Sequence, residues 1–444
     1  MSLPSFFNWQ IRRSTPRPVP SAPSSASDSS GSSGSSASSA STHQTKRNLT
    51  KVVSPGDSAH ISPIKYAYDP VPEVPQYLSP LPFEFPHYAT KSCAYATLNA
   101  VKIKPRAAGL PYRSSLDYVR GNKNWKANLD ESVKLLELIV ADKAALDEEV
   151  GKGITLSKIA KKELRPGLEH RMVVATSYMF PFADERRLRQ IATLMIMYFV
   201  FDDKVEETPE GSPLSNFRTD FLRRFREPSS VESDVSTMSE LQHHLDFTVR
   251  IIGEEDSISG NGGKEMLEAL MAAFHCVHPD GDFHSLEDYL KFRRLNVGAR
   301  FVIAAAKFSI KSSVDVKDPR FARYLSLVGD HYGIINDMAS YDKESKALRE
   351  GETQDMINIV AVFQTLLSLP DARAAKAAAY GYQLQVEAWI VEEIEALESF
   401  GKLSDEDWWF VEAVLLSATG NVFFCMTSSR YGGQAAMIEP QYTS

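Results

Sequence analysis

The chain has 444 residues and a formal net charge of −8, with no basic face of the kind that nucleic acid demands. Its 43% hydrophobic content is enough for a sizeable core, but the longest apolar run is well below the ~18–20 residues that span a bilayer. Cys93, Cys276 and Cys425 form an odd set without paired spacing, which argues against a disulfide framework and for a reducing, cytoplasmic setting.

The N-terminal region is almost entirely Ser, Ala and Gly between Ser21 and Thr42, a composition that cannot bury enough apolar surface to fold. It predicts a disordered Ser/Pro-rich tail over residues 1–60, followed over 61–99 by an extended proline-rich strap. Asp28 is the only acid through residue 56 against several Arg and Lys, which has a flavour of organelle transit. Phe6–Arg13 is too short for a convincing amphipathic helix, however, and no secretory apolar region follows Met1. From residue 100 to 444 long periodic segments dominate and predict an all-α fold, one helical bundle.

Within that body, Ile191–Phe201 is apolar on nearly every side and reads as a buried helix. It runs directly into Asp202, Asp203 and Glu206. Carboxylates at a helix C-terminus face the negative pole of the dipole and repel one another. A bound cation would offset that repulsion; a frayed acidic helix end is the plainer reading. His243-His244 is expected on an exposed helix face. His275, Cys276, His278 and His284 match no strong zinc spacing, and the Pro279-Asp280-Gly281 turn accounts for the local polarity. Ser285 and Ser404 each stand three residues before a carboxylate and announce helix starts. The first predicted helix runs to about Ile310 and carries Arg294 and Gly298, with a break or close packing at the glycine. Asp330-His331 is expected as helix surface.

Next comes the most informative stretch. Asn336, Ser340 and Glu344 set an amide, a hydroxyl and a carboxylate at i, i+4 and i+8. Those positions drift only about 40° per step, so one helix face carries three oxygen ligands in a row. Such ligation suits a hard cation that completes its shell with water and substrate phosphate, although the same spacing also describes a solvated face. Lys343 adds positive charge beside Glu344. The helix opened by Ser404 is expected to end near Phe424, with Arg430 and Tyr431 in the loop beyond. No phosphate-cradling glycine loop or dinucleotide fingerprint is present.

Together these clusters resemble class I terpene cyclases of the fungal and bacterial type. Asp202, Asp203 and Glu206 look like the aspartate-rich D-D-x-x-[DE] motif. Asn336, Ser340 and Glu344 look like the N-[DS]-x-x-S-x-x-x-E triad. Arg294, one helical turn before Gly298 with Val297 between, resembles the arginine that senses diphosphate. Gly420-Asn421 through Arg430-Tyr431 resembles the family's C-terminal pattern, with Phe424 where tryptophan is common. The resemblance covers residues 85–435. Around Thr176–Pro181 it extends to fungal sesquiterpene cyclases of the longiborneol or brasilane type.

The resemblance implies a class I terpene synthase-like bundle with a central cavity and three Mg²⁺ ions, with Mn²⁺ as a substitute. Two ions would be held mainly through Asp202, organised by Asp203 and Glu206, and one by Asn336, Ser340 and Glu344. Arg294, Lys343, Arg430 and Tyr431 would bind diphosphate, and Gly298 would turn a backbone carbonyl toward the substrate. Phe180, Phe199, Phe301 and Phe424 are candidate cavity walls, since aromatic faces attract cations and offer no nucleophile; each also reads as ordinary core. The expected substrate is a linear prenyl diphosphate, farnesyl diphosphate first, acted on by a monomer or homodimer. Alternatives are a geranylgeranyl diphosphate cyclase, a chain-elongating prenyl diphosphate synthase (which would carry a second aspartate-rich motif in place of the triad) and a non-catalytic helical interaction protein.

Overall fold

Among the described residues of the computed structural model, which are 61–75, 83, 85, 98–142, 155–205, 239–259, 262–276, 279, 282–351, 353, 356–399, 401 and 403–438 without the side chains of 201–205 and 257–259, most belong to twelve α-helices. All of these lie in one unit, Arg47–Ser444. The tail expected over residues 1–60 lies outside them, as do Cys93 and His278.

The helices are α1 Trp125–Ala141, α2 Leu156–Glu163, α3 Val173–Met179, α4 Glu185–Val205, α5 Glu240–Ser259 and α6 Gly262–Phe274, followed by α7 Leu286–Asn296 and α8 Ala299–Ser309. The last four are α9 Ala322–Arg349, α10 Ile359–Leu366, α11 Ala372–Ser399 and α12 Asp405–Thr427. A two-stranded antiparallel sheet precedes them, with β1 Ala100–Ile103 paired to β2 Val119–Asn122 so that Ala100 faces Asn122. The first of the twelve helices begins at Trp125, after the two strands. Strands of four residues carry too little alternation to be read against a helical background.

Both hydroxyl caps act as their sequence implies. Ser285 accepts from the Asp288 amide at the head of α7. Ser404 and Asp407 form a reciprocal capping box at the head of α12. The break falls at Gly298, whose φ of 67° is left-handed, a conformation that costs glycine nothing. A Cβ there would also meet the Tyr198 ring at 3.1 Å. The Gly298 carbonyl accepts from Val302 at 3.1 Å and so starts α8.

α12 runs through the middle, packed on α3, α8 and α9. By length and composition it is apolar enough to cross a membrane, but its apolar window is buried throughout the bundle. The sequence count missed this because Asp407 and Glu412 interrupt the apolar run. A helix that is apolar all round is also what a large soluble core contains.

Two histidine expectations change as well. His244 is buried, its Nε2 3.0 Å from Glu131 on α1. His331 is fully buried on α9, with Nε2 3.0 Å from Glu387 Oε1 on α11. Glu387 also accepts from the Ser115 amide at 2.7 Å, from the Ser115 hydroxyl and from Gln383 Nε2 at 2.8 Å. Burial opposes its charge, yet these donors together hold its carboxyl below the usual glutamate range. Its neighbour Asp330 is buried too, which pushes its carboxyl up to about 6 against the pull of Arg294.

The strap is an extended segment in its described part, residues 61–75. The Tyr68 amide donates to Met426 O at 2.7 Å, and the Ala67 amide to Ala436 O at 2.8 Å. In return the Ile438 amide donates to Lys65 O at 2.8 Å. Asp69 takes a fork from buried Arg113, Nε to Oδ1 at 2.8 Å and Nη2 to Oδ2 at 2.6 Å. The strap thereby crosses the end of the bundle where α12 stops.

Candidate active site

The triad occupies successive turns of α9. Ser340 is buried, and Asn336 and Glu344 are half-buried beside it. Asn336 Nδ2 donates to the Tyr431 hydroxyl at 3.3 Å, so the loop after α12 reaches the triad as the resemblance implies. Within that loop the Arg430 guanidinium lies 5.3 Å from the centre of the Phe199 ring on α4. Phe199 in turn lies 5.9 Å from Phe424, and Phe424 packs edge-on to Tyr431 at 5.9 Å. Three remote segments thus converge: the end of α4, the middle of α9 and the end of α12 with its loop.

Phe199 and Phe424 are buried rings at that junction. Phe301 instead stacks on Tyr198 at 5.9 Å, and the Tyr198 hydroxyl donates to Asn296 O at 3.0 Å across the α7–α8 break. Phe180 is buried just beyond α3. Asp202 and Asp203 lie in the last turn of α4, one turn past Phe199. Their side chains, and Glu206 entirely, lie outside the described residues. Lys343 is exposed on α9 next to Glu344.

The arginine expectation needs correction. Arg294 turns away from the triad: its Nε lies 3.4 Å from Asp330, and Nη1 donates to Ser326. Its side chain faces a surface cleft with Leu286, Leu290 and Tyr382. The neighbouring Arg293 is the residue that reaches the triad, with Nη2 2.8 Å from Asn336 Oδ1 and Nε 2.9 Å from Asp337 Oδ1. Adjacent helical residues point about 100° apart, so only one of the pair can face that turn of α9. Both arginines pack on α9, Arg293 over Gly333 and Arg294 over Gly329, where an added Cβ would sit 2.9 Å and 3.2 Å from the respective Cγ, and the Gly333 seat is the one beside Asn336.

Asp337 was not singled out in the sequence, yet it anchors this corner. Besides Arg293, its carboxylate takes the Tyr289 hydroxyl and the Ile359 amide at 2.9 Å. Complete burial pushes its carboxyl up to about 6, while Arg293 and the hydrogen bonds pull the other way. The ion pair with Arg293 is what favours its charged form. Asn358, the cap of α10, was missed as well. It donates to Asp337 O at 2.8 Å and to Glu344 Oε2 at 2.9 Å. A cap before the apolar run Ile359–Phe363 could have been read from sequence; its second partner could not.

The donors on α9 are one amide oxygen, one hydroxyl and one carboxylate, all oxygen and close to neutral apart from Glu344. That set fits a hard divalent cation better than a softer metal. Among the described residues no three His, Cys, Asp or Glu side chains gather into an alternative metal cluster.

The comparisons agree with this geometry. Residues 193–379 match the family model described as terpene synthase family 2, C-terminal metal binding, a span that includes both metal motifs. Terpene cyclase 6 of Gibberella fujikuroi is 24% identical over 387 residues, covering 85% of this chain and 97% of that protein. Terpene cyclase aneC of Aspergillus aculeatus is 24% identical over 389 residues, covering 85% and 84%. Among solved structures, aristolochene synthase from Penicillium roqueforti superposes with a TM-score of 0.51 at 16% identity, covering 68% of this chain and 95% of that one. Germacradien-4-ol synthase from Streptomyces citricolor gives 0.50 at 14% identity, covering 69% and 97%. The chain is a homologue of the fungal terpene cyclases, an enzyme of the terpene synthase class built on the class I helical bundle.

Proposed function

We propose that the chain ionises farnesyl diphosphate and cyclises the resulting allylic cation to a sesquiterpene hydrocarbon or alcohol, releasing diphosphate. The observation that carries this reading is the link from Asn336 through Tyr431 to Phe424 and Phe199, which joins a polar oxygen-donor face to an aromatic wall. Mg²⁺, three ions by family resemblance and replaceable by Mn²⁺, supplies Lewis-acid stabilisation of the departing diphosphate when bound.

Asn336, Ser340 and Glu344 would hold one ion, and Asp202 with Asp203 and Glu206 the others. Arg430, Tyr431 and Lys343 donate hydrogen bonds to diphosphate, and charge-assisted bonds of this kind are the strong ones. Arg294, whose guanidinium faces Asp330 and Ser326, is left out of this donor set. Phe199 and Phe424 exclude water and offer ring faces to the cation, each worth ~0.5–2 kcal/mol.

The test is incubation with geranyl, farnesyl and geranylgeranyl diphosphate, with volatile products identified by mass spectrometry. Turnover is expected with Mg²⁺ or Mn²⁺ and farnesyl diphosphate, and is expected to vanish with EDTA. Full turnover without metal would overturn the mechanism. A preference for geranylgeranyl diphosphate would overturn only the chain length.

Phe424→Leu checks the wall separately. Diphosphate release is expected to fall by no more than about thirtyfold, since one ring contributes ~0.5–2 kcal/mol, while products shift toward early-quenched, less cyclised species. An unchanged product profile would reduce Phe424 to core packing.

A further inference from the structure

We infer that Arg293 and Asn358 are positioning residues that fix which oxygen atoms of Asn336 and Glu344 face the cation before substrate arrives. The inference rests on the reading of Asn336, Ser340 and Glu344 as metal ligands, and it adds the residues that orient them.

An asparagine amide can flip, exchanging a donor for an acceptor, and only its neighbours decide between the two. Guanidinium groups have no acceptor. Arg293 Nη2, 2.8 Å from Asn336 Oδ1, therefore demands the oxygen on its side and leaves Nδ2 for the Tyr431 hydroxyl at 3.3 Å. One lone pair of Oδ1 is used by Arg293, and the second remains for a cation. Arg293 is itself held in place: Nε lies 2.9 Å and Nη2 2.7 Å from Asp337 Oδ1, and Nη1 donates to Asn296.

The same logic runs through Asn358, which is fully buried. Its Oδ1 accepts from the Val360 amide at 2.9 Å, so its amide cannot be flipped. Both Nδ2 hydrogens are then committed, one to Asp337 O at 2.8 Å and one to Glu344 Oε2 at 2.9 Å. That bond holds one carboxylate oxygen and leaves Oε1 to the cation. Two of the three ligands are thus oriented by groups on α7 and at the head of α10, and Asp337 ties those groups together.

Partners that orient metal ligands typically contribute 10–100-fold in metal affinity or activity. Asn358→Ser separates that role from helix capping, because serine caps a helix about as well as asparagine but its hydroxyl is too short to reach Glu344. Mn²⁺ binding in the presence of inorganic diphosphate, followed by electron paramagnetic resonance, is expected to weaken about tenfold or more. The ligand-free unfolding temperature is expected to fall by only a few degrees, because the cap is kept while the buried bond to Asp337 O is lost. The Mg²⁺ concentration for half-maximal activity should rise by a similar factor, and saturating Mg²⁺ should restore kcat to within about threefold. General damage to the fold would not be rescued by metal.

Arg293→Lys provides the second variant, keeping a cation for Asp337 without the fork that also reaches Asn336. The same loss of Mn²⁺ affinity is expected, and this variant decides the matter if Asn358→Ser does not fold. Mn²⁺ affinity within twofold of the unaltered chain in the folded variant overturns the inference. If the unaltered chain itself binds no Mn²⁺ with diphosphate, the metal reading fails and the inference fails with it, a result distinct from loss in the variants alone.

Discussion

Asn336→Ala is expected to lower turnover of farnesyl diphosphate by roughly 10²–10³-fold, the range found when one group that stabilises developing charge is removed. In the proposed metal site the side chain presents an amide oxygen to the cation, and it links the triad to Tyr431, so its loss would remove a ligand and loosen the loop carrying Arg430 together. Folding should survive. Arg293 keeps its contacts to buried Asp337 at 2.7 and 2.9 Å, so no buried charge is stranded. The loss of two partly buried hydrogen bonds amounts to about 1–3 kcal/mol, which a bundle of this size tolerates. The measurement pairs kcat with a melting curve on the same preparation. A folded variant with turnover within threefold would mean that Asn336 is helix surface and the metal reading of α9 is wrong.

The second large effect is on stability. Gly420→Ala should lower the unfolding temperature by about 5 °C or more, because overpacking of a core costs about 1–3 kcal/mol and more when nothing can yield. A Cβ at Gly420 would lie 2.1 Å from Tyr178 O, 2.6 Å from its carbonyl carbon and 3.0 Å from Met179 Cα. These are backbone atoms at the end of α3, so relief requires the whole helix to move away from α12. Gly381 is the matched control. It sits in α11 with open space around its missing Cβ, and alanine there should stabilise by about 0.5–1 kcal/mol through helix propensity alone. Equal melting temperatures for the two variants would show that α3 and α12 are not in close contact.

Gly420 had been noticed as part of a resemblance, and the structure gives it a physical reason. That pattern recurs across the site. The triad was legible because 3.6-residue periodicity alone puts Asn336, Ser340 and Glu344 on one face. Capping at Ser285 and Ser404 was legible because hydroxyl and carboxylate lie within one turn. What could not be read depends on a second helix. Arg293 and Arg294 are indistinguishable in sequence; Gly333 and Gly329 on α9 seat one each, and only the Arg293 seat lies beside Asn336. His244 and His331 looked like surface because the carboxylates that bury them, Glu131 and Glu387, come from other helices. Asn358 showed its cap and hid its bond to Glu344 for the same reason. Local periodicity supplies phase; the partner across the interface supplies meaning.

The strap has a further consequence, for the order of events during synthesis. Lys65, Ala67 and Tyr68 emerge among the first described residues, yet their hydrogen-bond partners are Ile438, Ala436 and Met426, close to the last. At ~5–20 residues per second a ribosome delivers those partners some tens of seconds later. Throughout that interval the helices α1 to α11 can pack on one another and Asp69 can meet Arg113, but the strap's backbone partners at and beyond the end of α12, like Arg430 and Tyr431, do not yet exist. A nascent chain therefore cannot use Arg430 or Tyr431 as the proposed diphosphate donors until the segment after α12 has been made. The strap's backbone bonds over the end of α12 form only once Met426, Ala436 and Ile438 are present, so this corner of the bundle closes after the helices have packed.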